Sequence, residues 1–337
     1  MHTLFYQVIR PTLRGVGQVA LINNAITGLL LLVALIIQDL THHNMLDLPW
    51  VRLQNSLTLS TLVGALSSLL MARILSVDTK AIDQGIYGYN GALVGIACAT
   101  FFTPNSALLV WIVLGGAVTS VIMHLWRWRI SPFTFPFLTV IAVIFYTATW
   151  LGLTLKGGPI IVESARISST TPQAAVSIIN GVGQVLFQQG VVFSAVVIFA
   201  IAAHSIKTAL WAVVGATIGL IIASVLPLAF GEFLSGLFVQ QHEQHMINAS
   251  QGLFGFNGAL IALALCQSAA IAKRTIIVGV ALASIIAWLG IQLGLALLTL
   301  PFVLSAWIML ALVYFTNTAK VAQKARSNKD SQGKATH

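Results

Sequence analysis

The sequence predicts an all-α integral membrane protein with ten transmembrane helices in two inverted five-helix repeats, each repeat carrying a half-spanning pore helix. Three observations predict it. Apolar residues make up 58% of the 337-residue chain and charged residues 7%, with mean hydropathy +0.93, whereas soluble domains average about 25% charged residues. The segment Gly85-Ile-Tyr-Gly-Tyr-Asn-Gly-Ala-Leu93 returns 167 residues later as Gly252-Leu-Phe-Gly-Phe-Asn-Gly-Ala-Leu260. Two further echoes keep the same order and nearly the same offset: Gly17-Gln18-Val19 returns as Gly183-Gln184-Val185, and Thr134-Phe-Pro-Phe137 as Thr299-Leu-Pro-Phe302. A repeat of this kind in a membrane protein points to a pathway at the interface of its halves.

Apolar runs of spanning length place the helices in order. The first half offers 24–38, 57–76, 86–103, 106–126 and 133–155, and the second offers 190–206, 209–229, 252–270, 275–293 and 299–317. Before each set lies a shorter, more polar segment, 3–20 and 173–188, expected to be a half-length or re-entrant helix, because irregular backbone at membrane depth survives only where it lines a cavity or is buried in protein. An odd number of spans per half turns the second half upside down relative to the first. The expected division is residues 1–155 as the first inverted repeat, 156–318 as the second, and 319–337 as a polar, disordered cytoplasmic tail. Nothing at the start has the n-region, short apolar core and cleavage site of a signal peptide, so the first apolar helix is expected to direct insertion.

Basic residues set the orientation. With the N-terminus cytoplasmic, fourteen of the 17 lysines and arginines fall inside, and only Arg52, Lys156 and Arg166 fall outside. Both termini are therefore expected in the cytoplasm, in a multi-pass protein of the cell (inner) membrane. The net charge of +9 is explained by cytoplasmic loops and tail, without nucleic acid as a partner. Cys98 and Cys266 lie in apolar runs and read as free thiols, not as a disulfide framework.

All eight carboxylates fall at span ends, in loops or in the tail, so no charged partner waits mid-membrane for a cation or a relayed proton. That favours a neutral solute and a passive pathway. The repeated motifs instead supply amides at Gln18 and Gln184, hydroxyls at Thr134 and Thr299, and rings at Tyr89, Phe187 and Phe256. Tyr89 and Leu93, like Phe256 and Leu260, are four apart and share a helix face; with the residue three after each glutamine they form an apolar slot for a flat molecule. Each motif proline lacks an N–H, which is expected to free the carbonyl of Pro132 or Leu297 as an acceptor beside the threonine.

Blander readings stand beside these. The rings and leucines pack helices, the threonines mark kinks, the glutamines tie helix to helix, and the Gly-X-X-Gly spacings allow close helix contact. The cluster His242-Glu243-Gln-His245 has metal-ligand residue types but no further ligands nearby, and reads as solvated surface, as does His42-His43. The segment from Gly215 to Asn257 is 16 residues longer than its counterpart from Gly64 to Asn90, an outer-face insertion suited to subunit contacts or a vestibule. No nucleophile or metal set marks an enzyme, and no cofactor is expected.

The chain resembles the urea transporters through Gln18-Val-Ala-Leu-Ile-Asn-Asn24 with Thr27-Gly28, through Leu48-Pro49-Trp50, and through both Gly-aromatic-Asn-Gly and both Thr-X-Pro-Phe segments. The resemblance covers nearly all of the chain except the tail. It implies a channel for urea in the lipid bilayer, a homotrimer with one pore per subunit, and a selectivity filter of two slots joined at a threonine constriction. By position one slot is Gln18, Leu21, Tyr89 and Leu93 with Thr134, and the other is Gln184, Phe187, Phe256 and Leu260 with Thr299. Leu21 stands where the family more typically has Phe, and Asn23-Asn24 becomes Gln189-Gly190, so unequal slots are expected. The rival readings are a coupled carrier of a small amide or ammonium-like solute, and a membrane subunit with no pathway.

Overall fold

The computed structural model describes residues 5–42, 56–128, 130–156, 173–234 and 248–334. Among these the secondary structure is helical, apart from one isolated bridge between Phe102 and Leu155. Helices dominate because an apolar chain in lipid must satisfy its own backbone within each segment.

The chain opens on a short helix, α1 (Arg10–Gly17), which follows a π-helical turn over Phe5–Ile9 and tightens into a 3-10 turn over Gln18–Ala20. Leu21 ends it in the left-handed region, φ 60°, where its N–H bonds to the Gln18 carbonyl and the Ile22 N–H reaches back to Gly17. This is a helix stop normally built on glycine. Asn24 then starts α2 (Ala25–His42), its Oδ1 accepting from the N–H groups of Ile26 and Thr27 at 2.7 and 3.2 Å. The two helices bend by 74° at this break.

The second half repeats the arrangement with α8 (Gln173–Gly183), a 3-10 turn over Gln184–Leu186, Phe187 at φ 55° and α9 (Val191–His204), bent by 69°. No capping asparagine stands here. Gly190, at φ 121°, gives its N–H to Asn180 Oδ1, so the break is tied to its own short helix. That physical difference lies behind the change from Asn23-Asn24 to Gln189-Gly190.

Four helical stretches are long and apolar enough to cross a bilayer: α3 (Leu57–Ile74), α6 (Ser106–Leu125), Ile206–Pro227 within α10 (Ile206–Leu234), and α12 (Lys273–Gln292). The bent pairs add two candidates. Four shorter apolar helices complete the apolar set: α5 (Tyr89–Phe101), α7 (Phe135–Thr147), α11 (Phe256–Cys266) and the Leu300–Thr316 part of α13 (Leu300–Lys334). A 13-residue helix such as α5 is about 20 Å long, against a hydrocarbon core of about 30 Å. The run 133–155 is thus helical only over Phe135–Thr147, because left-handed Phe133 precedes it and a turn at Gly152, φ 69°, follows.

Two expectations are corrected. The proline of each Thr-X-Pro-Phe motif lies in the first turn of α7 or α13 rather than at a kink inside a helix, so no helical bond is broken; the Pro132 and Leu297 carbonyls accept from Phe135 and Leu300 N–H at 3.0 and 2.9 Å. The segment from residue 319, expected to be disordered, continues α13 as helix to Lys334. Its alanines, lysines, glutamines and arginines are strong helix formers on a helix already nucleated by the apolar part.

The halves pack alike. In the first, α3 lies on α5 and α6 and α5 on α6; in the second, α10 lies on α11 and α12 and α11 on α12. A Cβ on Gly64 would collide with the Gly91 carbonyl, and one on Gly215 with the Gly258 carbonyl, so these helices cross backbone to backbone. Between the halves, α2 packs against α9, and Trp307 Nε1 donates to the Ser131 carbonyl at 2.9 Å. The helix α4 (Thr79–Asp83) leads into the first repeated glycine motif. Leu48-Pro49-Trp50, His43, residues 235–247 of the long loop, and with them His242, Glu243 and His245 lie outside the described residues.

Candidate functional site

Thr134 and Thr299, 165 residues apart and each about 1% exposed, share a hydrogen bond between their hydroxyls at 2.7 Å. Each precedes the first turn of an apolar helical stretch, α7 or the Leu300–Thr316 part of α13. Each follows a left-handed residue, Phe133 at φ 48° or Leu298 at φ 47°. The repeated asparagines hold those turns. Asn90 donates to the Phe133 carbonyl at 3.3 Å and accepts from Phe137 N–H at 3.2 Å; Asn257 donates to Leu298 at 3.1 Å and accepts from Phe302 N–H at 3.1 Å. Both asparagines are buried, so both bonds replace water that cannot reach them.

This overturns the expected column of freed carbonyls. Those of Pro132 and Leu297 are taken by turn N–H groups, and those of Phe133 and Leu298 by the asparagine amides. In the first half the Tyr89 hydroxyl also bonds to Phe133, whereas Phe256 has no hydroxyl to match.

The glutamines sit one turn before the left-handed residues that end the short helices. Gln18 Nε2 donates to the Gln84 carbonyl, and Gln184 Nε2 donates to the Gln251 carbonyl at 3.1 Å. The tying role therefore belongs to the amide nitrogens, while neither Oε1 accepts from any group among the described residues. Gln18 is half-buried and Gln184 buried.

Tyr89 and Leu93 are buried one turn apart on α5, and Phe256 and Leu260 likewise on α11. Phe187 stacks on Phe137 of the other half, 5.6 Å between centroids at 29°, and meets Phe101 at 6.0 Å. Its counterpart Leu21 is half-buried and brings no ring. The Leu21 carbonyl accepts from Gln267 Nε2 at 2.8 Å, and Gln188 Nε2 donates to Thr100 Oγ1 at 2.7 Å. Each half thus finishes an end of the other.

Four of the five non-glycine residues with positive φ among the described residues are Leu21, Phe187, Phe133 and Leu298, all in this region. Left-handed backbone costs an ordinary residue about 1–2 kcal/mol, and such strain persists where surrounding bonds fix the geometry. Sequence reading did not assign Phe137, although it is the fourth letter of a motif already in hand, nor the Asn90 and Asn257 clamp, although both are repeated letters. Gln267 and Gln188 left no signal, since their partners lie in the opposite half.

The carboxylates among the described residues with printed bonds cap helices or form ion pairs. Asp39 caps α3, accepting from Ser56 Oγ and from the N–H groups of Leu57 and Thr58; Asp78 caps α4; Asp83 pairs with Arg14 and Arg10. Lys156 Nζ donates to the Ala99 carbonyl in the last turn of α5 at 2.7 Å. Burial lowers its pKa, and the negative charge of Asp39 works against that shift. Among the described residues no three His, Cys, Asp or Glu side chains converge on a metal position, and Cys98 and Cys266 are free thiols, the first buried and the second partly exposed.

A model of the urea transporter family matches residues 9–239 and 230–314 of this chain. Urea transporter 1 of Ovis aries and that of Capra hircus are each 26% identical over 331 residues, covering 91% of this chain and 77% of theirs. Urea transporter 1 of Rattus norvegicus is 28% identical over 243 residues, covering 67% of this chain and 58% of its own.

Proposed function

The chain belongs to the urea transporter family, transporters and not enzymes, and from that premise we infer that it conducts urea passively, as a channel, through a filter centred on Thr134 and Thr299. The observation that carries the reading is the shared hydroxyl bond between two buried threonines 165 residues apart; each half also holds a glutamine whose amide nitrogen is engaged, and the reading sets one of these on either side of the pair. Urea carries four N–H bonds and one carbonyl in a plane. It needs acceptors in line and a flat apolar enclosure.

Gln18 Oε1 takes one N–H of the arriving solute in the slot of Leu21, Tyr89 and Leu93. The solute then exchanges bonds with the threonine pair, each hydroxyl turning from its partner to the solute. It leaves by way of Gln184 Oε1 in the slot of Phe187, Phe256 and Leu260. Hydrated ions are refused, because apolar walls replace none of their water and the described carboxylates stand at helix ends.

The same reading takes the second arm of each bent pair, the long helices and the shorter apolar helices as ten crossings in two inverted repeats, with the segments 3–20 and 173–188 before each set as half-spanning pore helices. It places the protein in the cell membrane with both ends cytoplasmic, assembled as a homotrimer with one pore per subunit.

Stopped-flow light scattering on proteoliposomes tests it. The expected result is urea entry well above that of empty liposomes and unchanged by an imposed proton gradient. Entry no faster than in empty liposomes would sink the channel, and a gradient-dependent rate would favour a coupled carrier. Measurable Na⁺ or K⁺ current would contradict a neutral filter.

A further inference from the structure

The two halves anchor their glutamines through the same backbone bond but brace it with different chemistry. In the first half Arg14 Nη1 donates to the backbone carbonyl of Asp83 at 3.1 Å and to its Oδ2 at 2.6 Å, with Arg10 Nη2 3.6 Å from the same oxygen. The next carbonyl along, that of Gln84, receives Gln18. In the second half Asn180, which occupies the place of Arg14, donates to the backbone carbonyl of Ser250 at 2.9 Å, and the next carbonyl, that of Gln251, receives Gln184. The donor, the carbonyl and the glutamine recur; the charge does not.

Burial differs as well. Asn180 is 6% exposed and also accepts from Gly190 N–H and Ser194 Oγ, so it is locked from three sides. The side chains of Arg14 and Asp83 are 21% and 36% exposed. Neither loop has slack: Gly85, at φ 74°, lies so close to Gly15 that a Cβ would strike the Gly15 N, and Gly252 stands the same way to Gly181. A change in the brace therefore reaches the glutamine carbonyl directly.

We propose that Arg14 and Asp83 are positioning residues for the first filter site, an ion pair that holds the Gln84 carbonyl and through it the Gln18 amide, so that urea affinity at this site depends on charge while the Asn180-braced site does not. The proposal rests on Gln18 accepting from the solute. Arg10, stacked 5.6 Å from the Tyr6 ring centre, adds a second cation near Asp83 but does not touch the Asp83 backbone carbonyl, so Arg14 carries the effect.

Urea saturation curves in proteoliposomes, on variants that purify with wild-type dispersity, test it. Arg14→Met is expected to raise the half-saturating urea concentration about tenfold, as the loss of a charge-assisted bond does, while maximal flux stays within about twofold. Arg14→Asn combined with Asp83→Ser imports the neutral brace of the second half and is expected to restore half-saturation to within about threefold of wild type. Unchanged half-saturation in Arg14→Met, or a loss of flux that saturating urea does not overcome, overturns the proposal, as does failure of the double variant to restore. Gln18→Leu separates the layers. If it leaves half-saturation unchanged the filter reading itself fails, whereas if it shifts and Arg14→Met does not, only the brace falls.

Discussion

At the scale of single residues, the threonine pair makes the sharpest forecast. Each hydroxyl is the other's partner in a buried place, so Thr134→Val or Thr299→Val strands one polar group and should destabilise by about 1–3 kcal/mol, seen as a lower melting temperature. The double replacement strands neither. Its thermal stability should lie close to or above that of either single variant, a non-additivity expected only of groups in direct contact. Urea flux should fall in all three, and flux unchanged in the double variant would remove the hydroxyls from the pathway. Asn257→Ala should cost about 2–4 kcal/mol by releasing both the Leu298 carbonyl and the Phe302 N–H, and should lower flux through a loosened Thr299.

Residues also mark the limits of what the chain discloses. Thr134, Gln18 and their echoes were legible because the repeat printed them twice. The fate of the carbonyls was not legible, since whether a proline kinks a helix or begins one depends on the backbone before it. Left-handed Phe133 and Leu298 decide that, and neither residue type advertises positive φ. The cross-half bonds of Gln267 and Gln188 were invisible for a related reason, because periodicity reports faces of one helix and not which partner meets them.

At the scale of elements, the short helices matter because they bring backbone ends into the interior. α5, α7 and α11 are shorter than the hydrocarbon core, so each proposed crossing includes the apolar turn that leads into the helix, and each helix begins beside the threonine pair or the clamp that holds it. The expectation of full spans at 86–103 and 133–155 followed from apolar content, which does not distinguish a helix from an apolar turn leading into one. The glycine approach tests this arrangement: Gly85→Ala or Gly252→Ala puts a methyl into backbone at a φ alanine disfavours. Both should lower the yield of monodisperse protein in detergent chromatography more than Gly152→Ala, where a Cβ would meet nothing within 4 Å.

At the scale of the whole molecule, the charge map makes the remaining forecast. If the proposed orientation, which puts fourteen of the 17 basic residues on the cytoplasmic side, is right, a cysteine at Ser327 should escape an impermeant maleimide added to intact cells, and one at Ser168 should react. The reverse pattern would invert the proposed orientation while leaving the filter untouched, since its two ends are alike in kind. Helix through residues 319–334, where polarity suggested disorder, shows that composition forecasts solvation better than it forecasts backbone shape. Helix propensity was legible there too.

The bonds from Gln267 to Leu21 and from Gln188 to Thr100 also bear on how the protein is made. Synthesis delivers the first half to the membrane well before the second exists, and during that interval the Leu21 carbonyl and the Thr100 hydroxyl lack the glutamine amides that will donate to them. In lipid such vacancies are unfavourable, so the first half is expected to be less stable on its own than in the complete chain. Translation of Gln188 and then Gln267 closes them in turn. A chain severed between the halves should therefore regain transport only when both pieces are produced together, each acting as the other's final folding step.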